Sequence, residues 1–503
     1  MNKLDSNPNE PPSASSFMKD DDQPQQSLLT NFWEYFRLLQ RNPRFRLYLI
    51  SHLCQHIGDW FTRIASLLTI ERLAPGSGSA LSILALTRMI PQVFVSHIGG
   101  VLADKYDRRN IMRCLDCIGA VAVLFVLVAI RLESLPLFYI VSVIRSIIHS
   151  LYEPSTKSIV PLIVPEPSSL KRAATLSSMA WASMLVLGGV IAGDSTAYIG
   201  VQVCYVIDSA TYLLSAIVIS FLQGTYSVVQ DPDGSPTTID SATFSSDESS
   251  TISAGKRHSP VMYRLRLVCQ PLVAFCQMAH ELNTYLYHSD FGGVIFLKAT
   301  GALIWGPADV LNITFAHVGA DEVATSKRLG YLFSCLGIGY VLGPIAANIY
   351  TNAAQPKSLQ LVCASSFSFM TIGWIGISQA STFNGILWCS IIRAFGSGIM
   401  WMNSTLLLQS LTKPEFLGRM LAFEFSLTML ADAVVATIVG QLRDQGYAAS
   451  QISSGVGALS GLFFGVWTVY HLFGRGAARK EFNPKEISCS IRQSKTEPVV
   501  VFA

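Results

Sequence analysis

Charged side chains lie inside stretches of this sequence that are otherwise apolar. The candidates are Asp59, Arg63, Arg145, Asp208, Lys298, Asp309, Glu424 and Asp432. Charge is costly in apolar surroundings, so such residues are expected to pair with one another or to serve a function. A carboxyl near a base can take up and release a proton, and a set of such groups can line a polar cavity.

The spacing places two pairs of these residues on shared helix faces. Asp59 and Arg63 are four residues apart and can pair on one helix face, either as a functional pair or as a self-neutralising structural one. Glu424 and Asp432 are eight apart and share a helix face about two turns from each other. Both arrangements require that the residues lie on helices.

A further cluster of charge directly follows an apolar stretch, in the segment GGVLADKYDRRN at 99–110. Gly100 allows another helix to approach closely, and Asp104 lies one turn later on the same face. Basic side chains follow: Lys105, Arg108 and Arg109. The pattern predicts a conformational latch in which the acid faces the N-terminus of another helix. The alternative is a charge cluster that only sets membrane orientation.

The composition places these residues in a membrane protein. Of 503 residues, 50% are hydrophobic and 14% are charged, and the mean hydropathy is +0.41; soluble domains carry about 25% charged residues. A helix needs about 20 mostly apolar residues to cross a bilayer. Such stretches lie near 48–71, 79–103, 110–130, 135–155, 174–195, 198–222, 291–315, 329–350, 359–378, 383–407, 417–440 and 453–473.

These twelve stretches fall into two groups of six. They predict an all-α polytopic membrane protein with two pseudo-symmetric six-helix bundles, at 41–222 and 291–474. The other segments are interpreted by composition. They are a disordered N-terminal tail at 1–40, a Ser- and Thr-rich disordered linker at 223–261, an amphipathic helix at 262–290 and a C-terminal tail at 475–503.

Lys and Arg set the expected orientation. They are concentrated before the first span, after the second, in the linker and after the last span, and are sparser in the alternate loops. Because basic residues favour the cytoplasmic side, both termini and the linker are predicted to be cytoplasmic. The membrane itself is open, with the plasma membrane favoured.

Motifs for other activities are missing from the sequence. There is no GxxxxGK[ST] loop and no convincing serine, histidine and acid arrangement. The pair Cys114 and Cys117 lacks a second ligand pair for zinc. The sequence therefore predicts neither an enzyme nor a cofactor, metal or nucleic-acid partner.

The segment at 99–110 resembles the signature G-x-x-x-D-[RK]-x-G-[RK]-[RK] of the major facilitator superfamily. Asp107 stands where the signature has its second glycine, as in the branch that includes the enterobactin exporter and macrolide efflux proteins. The stretches NPRFRLYLISHLCQHIGDWFTRIA, VCYVIDSATYLLSAIVI and LTKPEFLGRMLA also resemble that branch. The stretch VLGGVIAG resembles the family's antiporter signature on helix five, with Gly188, Gly189 and Gly193, and LGPIAA supplies Gly343 and Pro344 in span eight. The alternative for these residues is tight helix packing alone.

The resemblance implies a monomeric secondary transporter that moves a small organic molecule across the lipid bilayer by alternating access. It implies efflux coupled to a proton gradient, or to that of another ion, and a link between Arg145 and proton coupling. An importer on the same fold and a non-transporting receptor or scaffold remain as alternatives.

Overall fold

The computed structural model describes residues 35, 37–226, 229–230, 236–237, 293–351, 356–412 and 414–473. The helices of the first half are α1 Pro43–Leu73, α2 Gly78–Lys105, α3 Arg108–Arg131, α4 Leu135–Ile163, α5 Pro167–Ile199 and α6 Val201–Ser220. Those of the second half are α7 Leu297–Trp305, α8 Pro307–His317, α9 Glu322–Tyr350, α10 Pro356–Gln379, α11 Phe383–Leu411, α12 Pro414–Asp444 and α13 Ala449–Phe473, with a 3-10 turn at Val294–Phe296 before α7.

Side-chain caps fix where many of these helices begin. Asn42 accepts a hydrogen bond from the Phe45 N–H ahead of α1, and Pro43 occupies the first helical position, where its missing N–H costs nothing. Caps of the same kind stand ahead of α2, α3, α4, α9 and α11: Ser77, Asp107, Ser134, Asp321 and Thr382. Short polar turns therefore separate long helices.

Eleven helical segments of the described residues are long and apolar enough to cross a membrane, counting Val294–His317 as one. The helix α1 is also long enough, with 31 residues, but it is more polar. It packs against α5 and α6 and so supplies the remaining crossing. The predicted all-α polytopic membrane fold is confirmed, and the predicted count of twelve spans is consistent with it.

The helices pack as two bundles, which we call the N bundle (α1–α6) and the C bundle (α7–α13). Within them α1 packs on α6, α2 on α4, α10 on α11 and α13, and α12 on α7. The bundles meet along α5 with α9 and along α2 with α12. We call the side where α1 begins and α13 ends the tail side, and the opposite side the far side.

Three features differ from the sequence-based expectation. The span predicted at 291–315 is not one helix, because Pro307 lacks an N–H and its ring displaces the carbonyl one turn earlier, which separates α7 from α8. Within the linker at 223–261, Val229–Gln230 and Pro236–Thr237 pair as two short antiparallel strands, β1 and β2. Residues 37–41 are helical, although the tail was predicted to extend to 40. The predicted amphipathic helix at 262–290 lies outside the described residues.

Candidate functional site

One carboxylate joins the two bundles near the middle of the spans. Asp309 of α8 accepts hydrogen bonds from Arg63 of α1 and Arg88 of α2, each with an N–O distance of 3.2 Å. The break before Pro307 places Asp309 in the first turn of α8, where the helix dipole favours a negative charge. The side chains of Arg63 and Arg88 remain 36% and 34% exposed, so the cluster is accessible rather than sealed.

Apolar side chains enclose this inter-bundle cluster. The three charged groups line a narrow gap with room for about one water molecule. The apolar side chains around it are Leu67, Leu81, Leu84, Ala85 and Phe333. The Arg63 guanidinium carbon lies 5.7 Å from the ring centre of Trp60 and 5.1 Å from that of Phe333 on α9. The cluster therefore combines charge, aromatic faces and an apolar wall, which suits a ligand with polar and apolar parts.

The pairing of Asp59 with Arg63 on one helix, which the sequence suggested, does not form. Arg63 reaches into the bundle interface toward Asp309, whereas the Asp59 carboxylate accepts a hydrogen bond of 3.4 Å from the Tyr212 hydroxyl of α6. The i,i+4 spacing makes a pair possible, but partners on other helices compete for both side chains.

A second group of charges lies inside the N bundle. Arg145 of α4 forms an ion pair of 2.9 Å with Asp208 of α6, which is fully buried, and Thr62 of α1 donates to the same oxygen. The other Asp208 oxygen has no hydrogen-bond partner among the described residues. Asp59 interacts electrostatically with both Arg145 and Asp208. The two carboxylates and the one guanidinium together carry a net charge of −1, so one added proton makes the group neutral.

Asp116 of α3 is a buried acid that the sequence analysis did not single out. Its carboxylate accepts hydrogen bonds of 2.7 Å from the Ser215 hydroxyl and 3.3 Å from the Gln55 amide, and Ser51 extends the chain to Ser215. The signal for this residue was available, because an acid in the interior of the predicted span 110–130 is rare. This network ties α1, α3 and α6 together inside the N bundle.

The C bundle has a buried ion pair of its own. Lys298 of α7 lies 3.0 Å from Glu424 of α12 and donates to the Thr405 hydroxyl at 2.5 Å, and its ammonium lies 4.9 Å from the Trp401 ring centre. Asp432, two turns beyond Glu424, packs instead against Gly306 at the break between α7 and α8. Glu424 and Asp432 share a helix, but they take part in different contacts.

The segment at 99–110 forms the turn between α2 and α3 on the tail side. Arg108 is buried and donates to the Ser158 hydroxyl at 2.7 Å and to the Tyr226 carbonyl at 3.1 Å, and Arg109 donates to the Leu222 carbonyl at 2.6 Å. Both arginines thereby fasten the turn to the chain that follows α6. Burial also raises the pKa of the Tyr226 phenol at this point.

The remaining residues of this segment explain its departure from the signature. Asp107, which replaces the second glycine, caps α3 by accepting the Arg109 N–H at 3.0 Å. Asp104 is 80% exposed. Among the described side chains, it forms an ion pair with Arg108 alone, at 3.7 Å. Lys105 is exposed, and Gly100 faces open space. The start of α12, the helix that packs against α2 across the bundle interface, includes residues 413–419, whose side chains are not described.

On the far side, the end of α12 closes onto the start of α2. The Asp444 carboxylate accepts the N–H groups of Gly78 at 2.7 Å and Ser79 at 2.9 Å, and the Ser82 hydroxyl donates to the Ala436 carbonyl at 2.7 Å. A Cβ on Gly440 would lie 2.5 Å from the Gly78 carbonyl oxygen, so glycine is required for this approach. Sequence reasoning missed Asp444, since its partners are more than three hundred residues away.

The glycines of α5 form the other close contact between the bundles. A Cβ on Gly189 would lie 2.8 Å from the Gly330 carbonyl oxygen of α9, and one on Gly193 would lie 2.8 Å from the Gly330 Cα. Gly188 instead faces the Trp60 ring of α1. On α9 itself, two residues pack against α11 within the C bundle: Gly343 on Phe395, and Pro344 on Gly398. These contacts describe packing and identify no ligand.

Toward the tail side, the contact between α2 and α12 changes into an apolar crevice. It has a volume of about 160 Å³ and lies between Met89, Ile90, Val93 and Phe94 of α2 and a stretch of α12 that ends at Ala433. On α2 it begins one residue after Arg88. The crevice shares no lining residue with the inter-bundle cluster and lies on another face of α2.

Comparison with known proteins identifies the family of this fold. A family model described as Major Facilitator Superfamily matches residues 48–436. Macrolide efflux protein A of Streptococcus pyogenes is 26% identical over 369 residues, which cover 71% of this chain and 78% of that protein. The uncharacterized MFS-type transporters YfiS and YkuC of Bacillus subtilis are 26% and 28% identical, and the alignments span 41% and 30% of their lengths.

Solved structures agree on the fold. The nucleoside transporter NupG superposes with a TM-score of 0.59 at 11% identity, covering 85% of this chain and 98% of NupG. The peptide transporter POT in complex with sulfate superposes with a TM-score of 0.57 at 12% identity, covering 86% of this chain and 95% of that one. With a family model that spans most of its length, this multi-pass membrane protein belongs to the Major Facilitator Superfamily of transporters.

Proposed function

We propose that the protein is a secondary transporter that exports a small organic molecule by alternating access, coupled to proton entry. The substrate site is the inter-bundle cluster of Arg63, Arg88 and Asp309. The observation that carries this proposal is that two arginines of the N bundle share one carboxylate of the C bundle. A charged contact across the interface is one that a rocking motion must break and remake.

The contacts between the bundles support a conformer that is closed on the far side. Asp444 on the start of α2 and the glycines of α5 on α9 hold that side together. On the tail side, Asp104 is exposed and the apolar crevice is open. We interpret Asp104, with Gly100, Lys105, Arg108 and Arg109, as the latch that engages the start of α12 when the tail side closes.

The shape of the site supports an amphipathic substrate. The inter-bundle cluster offers charge, aromatic rings and an apolar wall, and a separate crevice between α2 and α12 is almost wholly apolar. Such a molecule would place its polar part at Arg63, Arg88 and Asp309 and its apolar part against the apolar side chains that surround them. The relative described as macrolide efflux protein A supports efflux of such a compound.

We assign the proton-binding site to the group of Asp59, Asp208 and Arg145 in the N bundle. Two carboxyls share one guanidinium there, and Asp59 lies one turn from Arg63 on α1. A proton bound at this group alters the charge next to the substrate site, which provides a physical link between the two. Three charged residues of the C bundle are assigned to the wall that this bundle contributes to the cavity for coupling and substrate: Lys298, Glu424 and Asp432.

The remaining assignments follow from the sequence pattern. The chain acts as a monomer with bundles at 41–222 and 291–474, and both termini and the linker are cytoplasmic. The tail side then faces the cytoplasm and the far side faces outward, with the plasma membrane favoured. Since the conformer is closed on the far side, it is the one that takes up substrate from the cytoplasm.

The test is flux across proteoliposomes with an imposed pH gradient, using erythromycin and a panel of amphipathic dyes as probes. Gradient-driven flux of a probe in the wild type, reduced at least about tenfold by Asp309→Asn, supports the proposal. Asp321→Asn is the matched control, because Asp321 is an exposed acid that caps α9 within one bundle. Full flux in Asp309→Asn contradicts the assigned site, and flux only under the reversed gradient assigns import instead of export.

A further inference from the structure

Two stripes of titratable side chains face each other on α1 and α4 in the tail-side half of the N bundle. On α1 they are His52, His56 and Asp59; on α4 they are Lys157, Glu153, His149 and Arg145. The spacing of three or four residues keeps each stripe on one helix face. The stripes extend from the Lys157–Glu153 ion pair, whose side chains are 76% and 39% exposed, to the buried group of Arg145 and Asp208.

The two histidines of α1 are in direct contact. The Nε2 atoms of His52 and His56 lie 3.0 Å apart, which is hydrogen-bond distance, and the rings meet edge to face with their centres 4.2 Å apart. His52 stacks on Tyr48 with a centre distance of 5.7 Å. The His52 Nδ1 atom is buried and has no partner among the described residues. The two rings are therefore hydrogen-bonded to each other through their Nε2 atoms, and the Nδ1 atom of His52 is available for a further bond.

The charged surroundings of the pair come from α4. His52 interacts electrostatically with Glu153, His149 and Lys157, and His56 with Glu153, His149 and His52. Beyond His56, the next titratable group on α1 is Asp59, three residues further. At 1.5 Å per residue this is about 4.5 Å along the helix axis, less than one turn.

We propose that His52 and His56 form a proton relay between the Asp59–Asp208 group and the tail side. The inference rests on the proposed proton coupling and adds the route that the proton takes. In the direction of release, the proton leaves Asp59 and adds to Nδ1 of His56. The Nε2 proton of His56 then passes to Nε2 of His52, and His52 releases its own Nδ1 proton near Glu153. At each ring one N–H bond forms and one breaks, so each ring returns to neutrality, in its other tautomer.

A relay affects the rate of protonation, whereas a structural contact affects the equilibrium. The test therefore follows the infrared C=O band of protonated carboxyl groups in the purified full chain after a rapid pH jump. Asp208→Asn and Asp59→Asn identify which part of the band belongs to these acids. His56→Gln and His52→Gln keep a polar side chain but cannot pass a proton on, and His471→Gln on α13 is the matched control.

The expected result is that either glutamine variant slows the rise of the band by about tenfold or more, with its amplitude and pH midpoint unchanged. Free imidazole, which carries protons, should restore the rate. A wild-type rate in both glutamine variants, or a shifted midpoint at a wild-type rate, overturns the relay but leaves the proton site intact. A wild-type chain with no band that depends on Asp59 or Asp208 overturns the proton site together with the relay.

Discussion

Removing the Asp444 carboxylate should open the far side of the molecule. In the structure this carboxylate accepts the first two N–H groups of α2, from Gly78 and Ser79, while Ser77 accepts the third, from Ala80. The helix start is thus satisfied partly by its own bundle and partly by the other. Asp444→Ala deletes only the contribution from the other bundle.

The size of the effect follows from the geometry. Losing a helix-capping acceptor costs about 1 kcal/mol, and the interaction of a carboxylate with the helix dipole adds up to about another 1 kcal/mol. Asp444 is exposed, so we discount the sum to about 1 kcal/mol. Since the contact exists only while the far side is closed, the whole amount acts on the equilibrium between the closed and open forms. A change of about 1 kcal/mol raises the open-to-closed ratio about fivefold.

The assay is the distance between spin labels on the far-side turns of the two bundles. Leu132 after α3 and Tyr447 before α13 are exposed and suitable for labelling in a cysteine-replaced background. The matched control is Asp321→Ala, which also removes a carboxylate cap on the far side, but from a helix of the same bundle. An unchanged distance distribution in Asp444→Ala, or an equal shift in the control, would refute the reasoning.

Two further substitutions test the interface and the buried charges. Gly193→Ala should shift the same distance distribution toward the open form, because its Cβ would lie 2.8 Å from the Gly330 Cα, whereas Gly455→Ala meets open space and should leave it unchanged; equal distributions for the two variants would count against the packing argument. Lys298→Met should lower the free energy of unfolding by about 3 kcal/mol, because it leaves Glu424 buried without its base. Adding Glu424→Leu should recover most of that loss in thermal unfolding in detergent, and no recovery would mean that the buried charge is not the cause.

The spans could be predicted from the sequence because the signal is local. Each crossing needs only enough consecutive apolar residues, and twelve such stretches were visible. The break in the seventh crossing was also visible, as Gly306 and Pro307 inside the predicted span 291–315, and proline in a helix interior is a known kink signal. It was missed because the apolar count alone decided the span.

The contacts of the candidate site could be predicted only where they are local. The turn at 99–110 was recognisable because its residues act within one turn of each other, and even the change to Asp107 has a local cause, the cap of α3. By contrast, Arg63 and Asp309 are 246 residues apart. Their meeting depends on how the bundles dock, and nothing in either neighbourhood of the sequence encodes it.

The one local ion pair that the sequence suggested shows why this matters for the proposed alternating access. A pair of Asp59 with Arg63 on α1 would move as a unit with its helix, and its energy would be the same in every arrangement of the bundles. Arg63 instead binds an acid of the other bundle, so its energy changes when the bundles move. The contacts between the bundles, which could not be predicted from the sequence, are therefore those that can couple binding to motion. The charged residues Arg63 and Asp309, which form one of them, could be predicted, because each lies inside an apolar stretch.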